Sequence, residues 1–314
     1  MGAERLLDTS PLTEKLDCAT AAHRLERFVH LVFIMTSPSS AFVIATALVA
    51  IASPALAVVG GTTSRDVRGA RASTLRVETS RGELCSGAVI APELVLTAAH
   101  CLMGGGSVSV VSLDPRFRAR RHAVVAVLPH PSFVPGTTPR TQPGADLAIL
   151  RLAAPLPRDI EPATLGSGLW QGESVTMAGF GLSIENNKNT ARRLRETRLV
   201  NAGNYTTQNT VKVAVDAEAK GESPGAGACR GDSGGPVLRG DVYSRDLVGI
   251  VSWSSGPLSS RVRSICGGFT AITPVSEYRG WITEAAGRLL AMGSNPRQDE
   301  PRAPAAGYSW WFSR

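Results

Sequence analysis

The chain has 314 residues, 43% of them hydrophobic and 19% charged, with a formal net charge of +7. That length and apolar content suffice for a sizeable core and exclude a disordered polyelectrolyte; length alone admits two domains. Phe117 alone interrupts its arginine-rich stretches, too little aromatic interleaving to suggest a nucleic-acid platform. The first 57 residues read as a leader. Residues 28–35 and 41–52 are apolar, but Thr36-Ser37-Pro38-Ser39-Ser40 separates them. Neither run reaches the roughly 20 residues that a membrane-spanning helix needs. Residues 41–52 followed by Ala55-Leu56-Ala57 have the form of a signal-peptide core and its A-x-A cleavage site. Met35 is an alternative start; Arg24 and Arg27 supply a basic flank only in the longer form. Cleavage after Ala57 exposes Val58-Val59-Gly60-Gly61 and removes Cys18, leaving the even set Cys85, Cys101, Cys229 and Cys266.

The remaining chain has 29 basic and 21 acidic residues, a net charge of +8. Arg116, Arg118, Arg120 and Arg121 form one cluster, and Arg192, Arg193, Arg195 and Arg198 another. Both are read as solvated arginines on loops and edge strands. Short apolar runs punctuated by 32 Gly and 20 Pro predict an all-β domain. Residues 75–79, 88–90, 94–97, 108–112, 122–128 and 147–152 form a first β unit. A crossover follows over 155–162. Residues 174–177, 195–200, 211–215, 236–238, 247–252 and 269–272 form a second unit. Val275, Tyr278, Ile282, Ala285 and Leu289 recur at helical spacing, with Trp281 beside them, and predict a C-terminal helix on the second unit. From 291 to 314 the chain is rich in Gly, Pro and charge, ends in Tyr308-Ser309-Trp310-Trp311-Phe312, and reads as a disordered tail.

The chemistry centres on Cys229-Arg230-Gly231-Asp232-Ser233-Gly234-Gly235-Pro236. Small residues flank Ser233, so a substrate backbone can approach and backbone N–H groups can face developing charge. The loop also fits the G-x-S-x-G pattern of α/β-hydrolases, whose triad runs Ser, acid, His. All five histidines (23, 30, 100, 122 and 130) precede Ser233, so that order is excluded. The order His, Asp, Ser stays open. His100, at the end of the strand 94–97, is the candidate base. Asp146, at the mouth of the apolar run 147–152, is the candidate acid to orient it.

Thr97-Ala98-Ala99-His100-Cys101, Asp146-Leu147-Ala148-Ile149-Leu150 and Gly231-Asp232-Ser233-Gly234-Gly235-Pro236 resemble, in this order, the signature segments of chymotrypsin-like (trypsin-like) serine proteases. The resemblance covers about 58–290. It implies two packed six-stranded antiparallel β-barrels with a C-terminal α-helix, a cleft between them, and a triad of His100, Asp146 and Ser233. It implies an oxyanion hole from the N–H groups of Gly231 and Ser233, with Ser252 supporting the aspartate. Of the three possible cysteine pairings it selects Cys85–Cys101 and Cys229–Cys266, which persist in oxidising compartments. A metal site is disfavoured because the cysteines lack C-x-x-C spacing. A mature end at Val58 would place an α-ammonium against Asp232.

The pocket departs from trypsin. The position six before the nucleophile is Gly227, followed by Ala228, so no carboxylate awaits a Lys or Arg side chain. Ser252, Trp253, Ser254 and Gly267 supply walls, and Arg230 lies at the rim, where it favours acidic neighbours in the substrate. The expectation is a secreted, extracellular or periplasmic serine endopeptidase cleaving after small or medium apolar residues. It needs no cofactor, acts on proteins or peptides as a monomer, meets protein inhibitors, and binds neither nucleic acid nor, once mature, the membrane. Alternatives are a catalytically silent binding protein on the same fold, a protease tethered by a retained leader, and an esterase.

Overall fold

The computed structural model describes residues 59–219, 225–257 and 264–292. All fall in one compact unit, Leu56–Arg314; the other, Met1–Ala55, lies outside the described residues, as do Val58 and the tail beyond Met292.

The first barrel consists of β2 (Thr74–Thr79), β3 (Leu84–Ala91), β4 (Leu94–Thr97), β5 (Val108–Leu113), β6 (Ala119–Pro129) and β7 (Ala148–Leu152). It closes in the order β2-β3-β4-β7-β6-β5. The second consists of β9 (Ser174–Gly179), β10 (Arg195–Thr206), β11 (Thr210–Val215), β12 (Pro236–Arg239), β13 (Asp246–Ser255) and β14 (Phe269–Pro274). Its order β10-β11-β14-β13-β12-β9 is closed by pairing of β9 with β10. Two short strands are additions to the expected set. β1 (Thr62–Thr63) pairs with β10, and β8 (Thr164–Leu165) runs parallel to β13.

Strand periodicity explains the packing. In β4, Val95 points into the first barrel, whereas Leu94 and Leu96 enter the core between the barrels. Around β7 the same split sends Ala148, Leu150 and Leu152 inward, and Leu147 and Ile149 toward the second barrel. Both faces are buried, so these strands read as unbroken apolar runs. The second barrel is filled by Val175, Met177, Leu199, Ala214, Val237, Val251 and Ile272.

Several strands run past their expected bounds, β3 and β10 the furthest. β3 begins at Leu84 because its small residues fit a crowded site: a Cβ on Gly87 would lie 2.7 Å from Val95 Cγ1. β10 passes a bulge between Asn201 and Gly203, where Gly203 has φ +120°, and continues to Thr206. The crossover between β7 and β9 is anchored by the buried Arg71. Its guanidinium donates to the carbonyls of Val67, Leu113 and Asp159 and pairs with the Asp159 carboxylate at 2.8 Å.

The C-terminal helix α1 (Arg279–Ala291) buries Ile282, Ala285 and Leu289. The sequence places it on the second barrel. Instead, its stripe enters the inter-barrel core and contacts β7 of the first, because Leu147 and Ile149 offer an outward apolar face there. His130 packs edge-on against Tyr278 and Trp281, fastening the helix to the first barrel. Among the described residues no helix is long and apolar enough to cross a membrane.

Candidate active site

β4 ends in Ala98 and Ala99, both fully buried, and the chain turns into one 3-10 turn, Ala99–Leu102, that carries His100. The Cys85–Cys101 disulfide fixes this turn to β3. Asp146 stands just before β7 with 3% of its surface exposed. One carboxylate oxygen accepts the backbone N–H of His100 at 2.9 Å. The other accepts His100 Nδ1–H at 2.8 Å and the Ser252 hydroxyl at 2.5 Å. This sets the tautomer: Nδ1 holds the proton, and Nε2 keeps its lone pair. Burial pulls the imidazole pKa down, but the charge and hydrogen bond of Asp146, with Glu83 farther away, leave it above its ordinary value. Burial raises the Asp146 carboxyl, while the His100 charge and the donors from His100 and Ser252 outweigh it and hold the group low.

Ser233 lies across the cleft, on the turn entering β12. Its Oγ donates to the Ser252 carbonyl at 3.1 Å, not to His100. Among the described residues, the backbone N–H groups of Gly231 and Ser233 have no acceptor, while those of Asp232, Gly234 and Gly235 are all used. Gly231 sits at φ +97°, a conformation that residues with a Cβ rarely adopt.

Ser86 and Thr97 pin this loop from the first barrel, and nothing in their sequence context singles them out. Ser86 N–H donates to the Ser233 carbonyl at 2.8 Å, and its hydroxyl donates to the Gly231 carbonyl at 2.9 Å. Thr97 Oγ1 donates to the Ser86 carbonyl at 2.7 Å. Gly234 (φ +82°) packs so close that a Cβ would lie 2.1 Å from Thr97 Oγ1 and 2.2 Å from the Ser86 carbonyl.

Asp232 is fully buried and accepts N–H bonds from Gly181 (2.8 Å) and Cys229 (2.9 Å). Burial pushes its carboxyl up to about 6, against those bonds and the charge of Arg195. Val58 lies outside the described residues, but Val59 is seated beside the loop: Gly227 N–H donates to its carbonyl at 3.0 Å.

Gly227 and Gly267, both expected from sequence in the pocket, are neighbours, and Thr270 joins them. Thr270, fully buried on β14, accepts the N–H of Ala228 at 3.0 Å. A Cβ on Gly227 would meet Thr270 Oγ1 at 3.3 Å and Gly267 Cα at 3.4 Å, so these residues pack closely together. The Cys229–Cys266 disulfide joins the serine loop to this wall. Ser254 donates to the Ile265 carbonyl at 2.7 Å, and Arg230 is exposed. Cys85, Cys101 and His100 bring potential metal-ligating atoms together, but both sulfurs are committed to the disulfide and Nδ1 to Asp146.

Two closed barrels meeting at a cleft, with an aspartate–histidine pair on one wall and a glycine-flanked serine on the other, define a serine-hydrolase architecture. Residues 58–282 match the Trypsin family model, and the chain belongs to that family, whose members are serine endopeptidases. It is 28% identical over 286 residues to Serine protease 56 of Mus musculus, a match covering 82% of this chain and 44% of that protein. The chain thus spans less than half the length of that relative. A solved structure described as "Structure of GrC" shares the fold, with a TM-score of 0.55 at 22% identity, covering 73% of this chain and 99% of that one.

Proposed function

We propose that the protein is a secreted serine endopeptidase that hydrolyses peptide bonds through an acyl-enzyme, using His100, Asp146 and Ser233. The observation that supports this reading is the buried Asp146, which accepts His100 Nδ1–H and leaves Nε2 free to act as a base, together with a Ser233 loop whose Gly231 and Ser233 N–H groups have no acceptor among the described residues. In the reaction Ser233 Oγ leaves the Ser252 carbonyl and donates to His100 Nε2 instead. Such bonds commonly tighten only once substrate is bound. Oγ then attacks the carbonyl carbon, its proton passes to Nε2, and Asp146 stabilises the imidazolium. The oxyanion lies between the N–H groups of Gly231 and Ser233; losing one such donor costs about 100- to 1000-fold in kcat. The imidazolium protonates the leaving amine, and water, activated by the same base, releases the acid product.

The floor of Gly227, Ala228, Gly267 and Thr270 bears no charge and admits small or medium apolar side chains. Ser252, Trp253 and Ser254 line its side. Residues 1–57 serve as an export leader, 58–290 form the protease domain and 291–314 a tail. The two disulfides suit an oxidising compartment. The mature end at Val58 pairs with Asp232. The enzyme acts on proteins or peptides as a monomer.

Labelling with a fluorophosphonate, together with a peptide panel, tests this reading. Wild-type protein should label at Ser233, and Ser233→Ala should lose turnover by about a millionfold. An unlabelled wild type would support a silent binding protein instead. Strong preference for Lys or Arg before the scissile bond would overturn the pocket assignment.

A further inference from the structure

Beside the site, the face of Trp253 is covered by a cation. The Arg140 guanidinium carbon lies 4.6 Å from the Trp253 ring centroid, and Tyr205 meets the same indole edge-on at 5.8 Å. Arg140 is exposed, and among the described residues its guanidinium has no carboxylate partner. By contrast Arg71, Arg118, Arg121 and Arg239 each pair with an acid. A guanidinium stacked on an indole keeps its planar fork of N–H donors directed outward, in the geometry a carboxylate accepts.

The loop presenting Arg140 is anchored by hydrogen bonds. Thr207 Oγ1 donates to the Arg140 carbonyl at 3.0 Å, and Asn209 Nδ2 to the Gly144 carbonyl at 2.7 Å. The buried Gln142 accepts from the N–H groups of Val134 and Gly144 and donates to the Val134 carbonyl. A first-barrel loop is thereby clipped to the β10–β11 hairpin of the second, directly over Trp253.

The position relative to the chemistry follows from β13. The Ser252 carbonyl faces Ser233 at a bulge between Val251 and Trp253; past it the Ser255 carbonyl accepts Gly268 N–H on the β14 side, so by alternation the backbone groups of Ser254 face the opposite, free edge. Beyond Val251 this edge pairs with no strand among the described residues, while β14 covers the other edge. A peptide adding to it as an antiparallel strand runs past Trp253, with successive residues about 3.3 Å apart.

We propose that Arg140 makes the cleft beside Trp253 a carboxylate subsite, so that the enzyme favours Asp or Glu at one of the positions two to four residues before the scissile bond. This deepens the protease reading and rests on it. The test is kcat/KM for positional-scanning peptides with wild-type protein, Arg140→Gln, Arg140→Glu and Arg140→Lys. Wild type should prefer Asp or Glu over Ala by about 5- to 20-fold at one of these positions, less so in high salt. Arg140→Gln should flatten the ratio, Arg140→Glu reverse it toward Lys and Arg, and Arg140→Lys retain a weaker preference. Each ratio is taken within one variant, so a change in overall activity leaves it readable. Cleavage with no acidic preference at these positions, or a preference that survives Arg140→Glu, overturns the assignment. Fluorophosphonate labelling of wild type separates the two claims. Labelled, cleaving protein without the preference sinks this inference alone; unlabelled, inactive protein sinks the protease reading and this one with it.

Discussion

At the scale of single residues, the site depends on how many groups Asp146 holds. One buried carboxylate accepts two donors from His100 and one from Ser252, which fixes both the tautomer and the tilt of the ring. The sign of its effect on pH dependence follows. A base works only when neutral, and the raised His100 pKa keeps the protonated form present to higher pH. The acid limb of kcat/KM should therefore lie above 6.5, the ordinary value for histidine. In Asp146→Asn the attractive charge is gone while the burial penalty stays, so the limb should move down. The altered tautomer should also lower kcat by about 10,000-fold. A pH profile of both proteins decides this. A wild-type limb below 6.5, or one that Asp146→Asn leaves in place, would count against His100 as the base.

At the scale of elements, the two disulfides do different work. Cys85–Cys101 closes a loop of 16 residues around the histidine turn; Cys229–Cys266 closes one of 37 and ties the serine loop to the pocket wall. Chain-entropy reasoning gives a stability loss of about 3 kcal/mol for the first and about 4 kcal/mol for the second when each pair is replaced by alanine. Denaturant midpoints should follow that order. The second replacement should also raise KM for short peptides more than the first, because it frees the wall carrying Gly267; equal KM values would contradict that link. Elements of this kind were legible in the sequence to unequal degrees. β4 and β7 stood out because both their faces are buried, and the serine loop because glycines crowd around it. The early part of β3 and the second half of β10 did not, since small or polar residues there serve close packing and a bulge. Thr270 and Ser86 were invisible for another reason. Only the fold of the second barrel and the contact between barrels bring these ordinary hydroxyls to Ala228 and to the serine loop. The rotamer of Ser233 is likewise a matter of three-dimensional contact.

At the scale of the whole molecule, the site exists only where the two barrels meet, and Asp232 lies behind that junction. Its carboxyl, at about 6 rather than the ordinary 3.8, binds its proton more tightly in the folded state than in the unfolded chain. Folding is therefore favoured as pH falls from about 6 toward 4, and the contribution is lost as pH rises through the same window. An α-ammonium from Val58 would reverse the sign by stabilising the charged carboxylate in place of the neutral acid. The buried Arg195 already lends some positive charge: its guanidinium donates to the Gly181 carbonyl at 3.3 Å, while Gly181 N–H donates to Asp232. Two forms of the protein separate these cases, one beginning at Val58 and one extended by a few residues before it. Their difference in melting temperature cancels every group that titrates alike in both. The advantage of the Val58 form should be small near pH 4 and grow through pH 6 to 7, vanishing again in Asp232→Asn. An advantage independent of pH, or one that persists in Asp232→Asn, would mean that the new terminus does not reach Asp232.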